Sequence, residues 1–416
     1  MNDLICISHL RWDFVWQRPQ HLLSRLALTH RVLFVEEPIA SSQAETPHLD
    51  VSTRTLANGA SVTVIRLIQP VIEERWIGHG DPLTQAAYSA LLKAYTDAQG
   101  IRDPLLWLYT PMALDFTSAL DYRLLVVDVM DQLSAFKGAP RDLKHNEAML
   151  LPVADVVFTG GISLYRDKLP FNNHTYAFPS GVESAHFARA ANRENFPAPA
   201  PLDALQGPVI GYFGVIDERM DMHLLRTMAA QRPDWNIVLL GPVVKIDPAE
   251  LPQAPNLHYP GMRTYEQLPA YLAHFDVALI PFALNESTRY LSPTKTLEYM
   301  AAHKPVVSTA IYDVSELYGD VVRIGRSHAE FIGHVEMALR ESPVSRRARE
   351  LELLDEHSWD RIAARMMDIL EALSAQQPAM QSAPPAARLI PAAGARAAAQ
   401  TTAAPTPQTQ KKGVRS

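Results

Sequence analysis

Residues 292–307 read SPTKTLEYMAAHKPVV. Pro293 and Thr294 have the chemistry of a helix start, KTLEYMAA has helical apolar spacing, and Pro305 stops it. The next residues, Val306 to Thr309, form a short β-branched run with the character of a buried strand. A helix feeding a buried strand is half of an α/β repeat. Polar groups at such a helix start often hold an anion, because the first backbone N–H groups lack partners. Lys295 and Glu298 lie in the first turns of this helix.

The same alternation runs through the chain. DLICISHL (3–10), RPQHLLSRLALTH (18–30) and RVLFVEEP (31–38) read as strand, helix and strand, with Leu22, Leu23, Leu26 and Leu28 at helical spacing. This is a crossover between parallel strands. VSTRTLANGASVTVIRLIQP (51–70) reads as a hairpin around Asn58-Gly59. DPLTQAAYSALLKAYTDAQG (81–100) is an amphipathic helix ended by Gly100. Short apolar strands follow in 104–111, 122–131 and 154–161, with a further strand and turn in 172–183. The Pro- and Ala-rich stretch RENFPAPAPLDALQGP (193–208) reads as an interdomain linker. The alternation then restarts at VIGYFGVI (209–216) and continues to DVVRIG (320–325).

Two such series predict two Rossmann-like domains of α/β class facing across a cleft, spanning 1–200 and 206–358. Ligands in open parallel sheets bind beyond the carboxyl ends of the strands. An amphipathic helix over 359–375 closes the folded part. Residues 376–416 are rich in Ala, Pro, Gln and Thr, hold no acidic residue and five basic ones, and read as a disordered tail.

Composition narrows the classes. The chain has 416 residues, 47% apolar and 20% charged, with net charge −7. That is ordinary globular composition, and the sign argues against nucleic acid as a partner. The single cysteine, Cys6, allows no disulfide framework and fits a reducing compartment. MNDLICISHL lacks the basic start and long apolar run of a signal peptide. Without a long apolar stretch no membrane span is expected, so the expected location is cytoplasmic, with any membrane contact peripheral at the inner face. No Gly-x-Gly-x-x-Gly follows the first strand, no Gly-x4-Gly-Lys-Ser/Thr is present, and no Cys/His cluster has zinc spacing.

Four segments, spread over most of the chain, resemble the GT-B glycosyltransferases of the family 4/family 1 group, especially bacterial enzymes of teichuronic acid and exopolysaccharide type. PTKTLEYMAAHKPVVST (293–309) resembles the donor-site signature of that group. FPSGVESAHF (178–187) resembles its Asn-Gly-Val-Asp turn, with Ser180 and Glu183 at the changed positions. GYFGVIDERMDMHLL (211–225) resembles the opening of the donor domain, and WDFVWQRPQHLLSRLA (12–27) the first loop and helix.

The resemblance implies a transferase with a nucleotide-diphosphate sugar, expected to be a UDP sugar, as co-substrate and without a metal or other cofactor. The acceptor would be a hydroxyl of a surface polysaccharide or a lipid-linked glycan. Glu298 would accept hydrogen bonds from the ribose hydroxyls. Lys295 and Arg219 would steady the diphosphate, Arg219 through a bidentate grip. Gly214 marks a close backbone approach, Arg289 and Thr294 flank the donor segment, and Gly261, Met262 and Arg263 lie where the base is often cradled. Helix 359–375 would return to the first domain.

On the acceptor side a carboxylate in the cleft suits the orientation or deprotonation of a hydroxyl. Asp128 and Asp131, at the end of a strand, and Asp13, on the first loop, are the candidates. Trp12 and Trp16 are candidate platforms for the apolar face of a sugar, and Arg18 for a phosphate at a helix start. His9 and His21 read as structural.

One departure stands out. The group often carries two glutamates separated by seven residues, and Tyr290 occupies the first position here, with Glu286 as a substitute carboxylate. That leaves retention against inversion open. It also keeps a non-catalytic binding protein and a sugar-nucleotide epimerase of the same fold as alternatives.

Overall fold

The computed structural model describes residues 2–72, 77–136, 138–341 and 346–376. Apart from Gln376, the segment read as a disordered tail lies outside the described residues.

The first sheet is built on β1 (Asn2–Ile7), β2 (His30–Val35), β3 (Ile39–Ser41), β4 (His48–Thr55), β5 (Ser61–Pro70), β6 (Leu105–Leu108), β7 (Leu124–Val129), β8 (Val156–Thr159) and β9 (Thr175–Ala177). Its order is β3-β5-β2-β1-β6-β7-β8-β9, with β4 on the outer side of β5. Pairing is parallel except for β4 with β5, which run antiparallel with Thr55 opposite Ser61. Asn58 and Gly59 (φ +83°) make that turn, as their sequence predicts. The helices are α1 (Arg18–Leu26), α2 (Pro82–Ala98), α3 (Leu114–Thr117), α4 (Leu143–Leu150), α5 (Ile162–Lys168) and α6 (Ser184–Ala188). Leu28 falls beyond the end of α1 and is 60% exposed, so the apolar stripe of that helix stops at Leu26.

The second sheet holds β10 (Val209–Phe213), β11 (Asn236–Leu240), β12 (Leu257–His258), β13 (Val277–Ile280), β14 (Val306–Thr309) and β15 (Arg323–Gly325). Its order is β12-β11-β10-β13-β14-β15, parallel throughout. The accompanying helices are α7 (Met222–Gln231), α8 (Leu268–Ala273), α9 (Lys295–Ala301), α10 (Tyr312–Tyr318), α11 (His328–Ala338), α12 (Arg347–Glu356) and α13 (Trp359–Gln376).

Strand order fixes where ligands can bind. In the first sheet the direction of winding reverses between β1 and β6, and in the second between β10 and β13. Loops leaving the carboxyl ends of strands on either side of a reversal splay apart and leave a crevice. These are the loops after β1, β6 and the adjacent β7 in one domain, and after β10 and β13 in the other.

The chain crosses between the domains twice. Val182, Phe187, Ala190 and Leu202 already pack in the core of the second sheet, so core membership changes well before the Pro-rich linker ends. Trp359, Ile362, Ala363, Met366 and Leu370 of α13 pack in the core of the first sheet with Leu22, Leu23 and Leu26 of α1. Trp359 is 3% exposed and stacks on the His21 ring at 4.8 Å. Truncating a buried tryptophan removes its transfer energy and leaves a cavity. Trp359→Ala is expected to lower the stability of the first domain by about 3–5 kcal/mol. A shift of that size in the urea unfolding midpoint, with the slope unchanged, is the check.

Candidate active site

The second-domain half of the site starts at Gly214, directly after β10. Its φ is +141°, and a Cβ there would lie 2.2 Å from Lys295 Cε. The missing side chain therefore makes the space in which the Lys295 stem lies. Lys295 opens α9 and Glu298 sits one turn on. Burial lowers the Lys295 pKa, opposed by the charge of Glu298. Burial raises the Glu298 pKa, opposed by Lys295 and by a hydrogen bond from Thr294. Each charge thus offsets part of the effect of burial on the other. Helix α9 has seven residues, under two turns, so its side chains rather than an extended helix dipole supply the field.

Arg219 lies on the loop after β10. Asp217, itself buried, holds it in a fork, with Nη2 to Oδ2 at 2.7 Å and Nε to Oδ1 at 3.0 Å. Sequence reading misses this aspartate, although its spacing two residues before the arginine suits such a clamp. Arg219 also lowers the pKa of Asp131, so its charge reaches the opposite domain. Arg289 is set apart from this group. It is 62% exposed and leans over the Tyr290 ring on a separate interdomain cleft. Gly261 (φ +83°) turns the loop after β12, with Met262 66% exposed beside it. Arg263 donates to the Tyr271 hydroxyl at 2.6 Å.

In the first domain the loop after β1 is fixed by Glu36, which is fully buried. Its carboxylate accepts from the Trp12 N–H at 2.7 Å, from Arg66 at 2.7 Å and from Arg11 at 3.3 Å. This anchoring turns Trp12 inward. The ring is 3% exposed and packs edge-on to Phe34, so Trp12 is a core residue and not a sugar platform. Trp16 is 48% exposed and meets His21 edge-on at 5.5 Å. Asp13 faces outward and is forked by Arg54, which lowers its pKa and makes it a weak base.

Arg18 and Asp128 are corrected together. Arg18 Nε sits 2.9 Å from Asp128 Oδ1, its Nη1 donates to the Phe178 carbonyl at 2.7 Å, and both side chains are almost fully buried. The guanidinium joins α1 to the end of β7 through Nε and Nη1, which spends the Asp128 carboxylate inside the domain and leaves the Arg18 Nη2 buried without a partner among the described residues. Asp131, three residues on, lies near enough to Arg219 of the second domain for the two charges to interact. Burial pushes its pKa up to about 6, against the pull of Arg219 and Arg18.

Two further groups enter from positions that motif reading leaves aside. Glu183, between Val182 and Phe187 of the second core, accepts from the Tyr265 hydroxyl at 2.9 Å, and its charge adds to the rise at Glu298. His21 is held largely neutral by burial, its pKa near 4, with Nδ1 3.9 Å from Glu183. Burial likewise brings His9 to about 4. Among the described residues no group of three or more His, Cys, Asp and Glu side chains is placed to hold a metal ion.

Residues 207–339 match the family described as Glycosyl transferases group 1. The matched residues take in the second sheet from β10 to β15. A stretch of 182 residues, 42% of this chain, is 29% identical to a Bacillus subtilis (strain 168) protein that carries the name teichuronic acid biosynthesis glycosyltransferase TuaH. That match spans 45% of the relative's own length, or about half. The whole architecture is GT-B. Sucrose-phosphate synthase from Thermosynechococcus elongatus superposes with a TM-score of 0.67 over 91% of this chain and 100% of its own, at 15% identity. A UDP-forming alpha,alpha-trehalose-phosphate synthase from Burkholderia xenovorans gives 0.65 over 90% of this chain and 100% of its own, at 13% identity. A trehalose-6-phosphate structure from E. coli, bound with UDP-2-fluoro glucose, gives 0.63 over 91% of this chain and 100% of its own, at 13% identity. Among the described residues no helix is long and apolar enough to cross a membrane.

The Arg18–Asp128 pair carries a stability prediction. Removing one partner of a buried ion pair strands the other charge. Arg18→Met is expected to cost about 3–5 kcal/mol, read by urea denaturation. Loss of activity with unchanged stability would return Arg18 to the binding site.

Proposed function

We propose that this protein transfers a sugar from a nucleotide-diphosphate sugar to a hydroxyl of a surface glycan or a lipid-linked precursor. The observation that carries the reading is Lys295 laid over Gly214, with Glu298 one turn on and Arg219 close by, beside the β10/β13 reversal of a group 1 domain. The Lys295 ammonium and the Arg219 guanidinium suit the charge of a diphosphate, and Glu298 suits a ribose diol. A UDP sugar is favoured because structures of this fold include one bound with UDP-2-fluoro glucose and one named UDP-forming. A glycan acceptor is favoured by the TuaH likeness. Protein cations are positioned for the phosphate charge, so the reading calls for no metal. The proposed location is the cytoplasm, with peripheral contact at the inner face of the plasma membrane when the acceptor is lipid-linked.

In the proposed reaction the bond from the anomeric carbon to the β-phosphate oxygen breaks, and the nucleoside diphosphate leaves with the electron pair. The acceptor oxygen forms the new bond. Asp131, ionised, orients that hydroxyl from the opposite domain. The proton passes to Asp131 or to the departing diphosphate, and the product's anomeric configuration tells which. Closure of the two domains around the donor limits its hydrolysis by water.

The first test is a melting screen with UDP, GDP, ADP and TDP and their sugars, because a ligand of the native state raises the melting temperature by mass action. One nucleotide is expected to raise it, and Glu298→Ala to abolish the rise. The same shift in the variant would move the donor site elsewhere. A second test follows from Asp131. Its carboxylate must be ionised to act, so kcat/KM is expected to fall by about tenfold per pH unit below about 6. Asp131→Asn is expected to remove that limb and lower the rate by about 10²–10⁴-fold. An unchanged pH profile in Asp131→Asn would exclude Asp131 from that role.

A further inference from the structure

A second concavity of about 590 Å³ lies between the domains, lined by residues of α5, of the loop after β13 and of the start of α10. Its volume falls within the roughly 300–1,000 Å³ of ligand-sized clefts. None of Gly214, Arg219, Lys295 and Glu298 lines it.

Its walls are two arginine–tyrosine stacks. The Arg166 guanidinium lies 5.1 Å from the Tyr312 ring centre, and Arg289 lies 5.2 Å from that of Tyr290. Both cations already have carboxylates nearby, Glu316 at 3.3 Å from Arg166 and Glu286 at 4.0 Å from Arg289. Asp167 accepts from the Tyr290 hydroxyl at 3.0 Å. The charges therefore balance locally. Such a wall does not select a polyanion, and it is too polar for a lipid chain. Planar fork-shaped donors and acceptors beside aromatic faces suit vicinal hydroxyls and the C–H faces of sugar rings. Tyr312 lines the cleft, and its hydroxyl oxygen is buried and has no hydrogen-bond partner among the described residues.

The cleft is also wired to the proposed acceptor carboxylate. Lys168, at the end of α5, binds Asp167 at 2.9 Å and the Gln132 side-chain oxygen at 2.7 Å. Gln132 is the residue after Asp131. One wall of the cleft and the segment bearing Asp131 are thus held as one unit.

We propose that this cleft is an oligosaccharide subsite, holding the sugar residues of the acceptor that lie behind the one receiving the transferred sugar. The inference rests on the reading of the acceptor as a glycan. Arg166, Asp167, Tyr290 and Tyr312 grip the glycan from both domains, so a long acceptor binds the closed form better than a short one.

The test uses the full chain on a printed array of bacterial surface oligosaccharides, followed by calorimetric titration of a bound saccharide and its shorter fragments. Affinity is expected to rise with chain length. Tyr312→Phe removes only an unpartnered hydroxyl, and Arg166→Ala removes an exposed ion pair and the stack on Tyr312 at the surface, so both variants are expected to fold. Each is expected to weaken the long saccharide by about tenfold and to leave the UDP melting shift unchanged. A UDP shift with no saccharide bound would overturn the subsite and spare the transferase reading. Saccharide binding equal in wild type and both variants would overturn it too, as would binding abolished by about 1 M salt, which marks ion exchange at the surface. Absence of both UDP and saccharide binding would overturn both readings.

Discussion

A carboxylate of one domain closes the end of a helix in the other. Asp313, fully buried at the start of α10, accepts from the backbone N–H groups of Ile162 and Ser163, each at 2.9 Å. A Cβ at Gly161 would lie 2.0 Å from Asp313 Oδ2, so glycine is needed for the approach. Charge-assisted hydrogen bonds of this kind contribute about 1.5–3 kcal/mol each. Around them, the Tyr290–Asp167 hydrogen bond joins the same two surfaces. With α13 returning to the first core, these contacts set how the sheets face each other. Every cross-cleft relation depends on that setting, including the field of Arg219 at Asp131 and the approach of His21 to Glu183.

The electrostatics of the cleft follow from limited water. Burial acts against every charge there, raising Asp131 and Glu298 and lowering Lys295. Opposite charges act against that shift at each of the three. Asp131 is the interesting balance, since two arginines restrain it and burial still leaves it near 6. A carboxylate so poised changes charge close to neutral pH and accepts hydrogen bonds strongly when ionised. Asp128 shows the other outcome. Arg18 reaches it directly, and the pair becomes an internal tie between α1 and β7.

Much of the architecture was legible because local chemistry and global fold agree. The apolar runs that became β10 and β14, the Asn58-Gly59 turn and the helix start at Pro293 each read the same in isolation and in place. The donor segment was legible for a related reason, since Lys295, Glu298 and Thr294 lie within one short helix and its approach. The acceptor side was not. Trp12 and Trp16 are four residues apart on one loop, yet Glu36 pulls the first inward and leaves the second half exposed.

The sequence by itself determined the alternation of strands and helices, the two series, and the polar start of α9, because these depend on side-chain periodicity and on residues close in the chain. Tertiary structure alone decided which carboxylate comes under the charge of Arg219 and which is tied to Arg18. Arg18 and Asp128 are 110 residues apart, and Ile162 and Asp313 are 151 apart. Their meeting is fixed by strand order and domain docking, and periodicity carries no record of either.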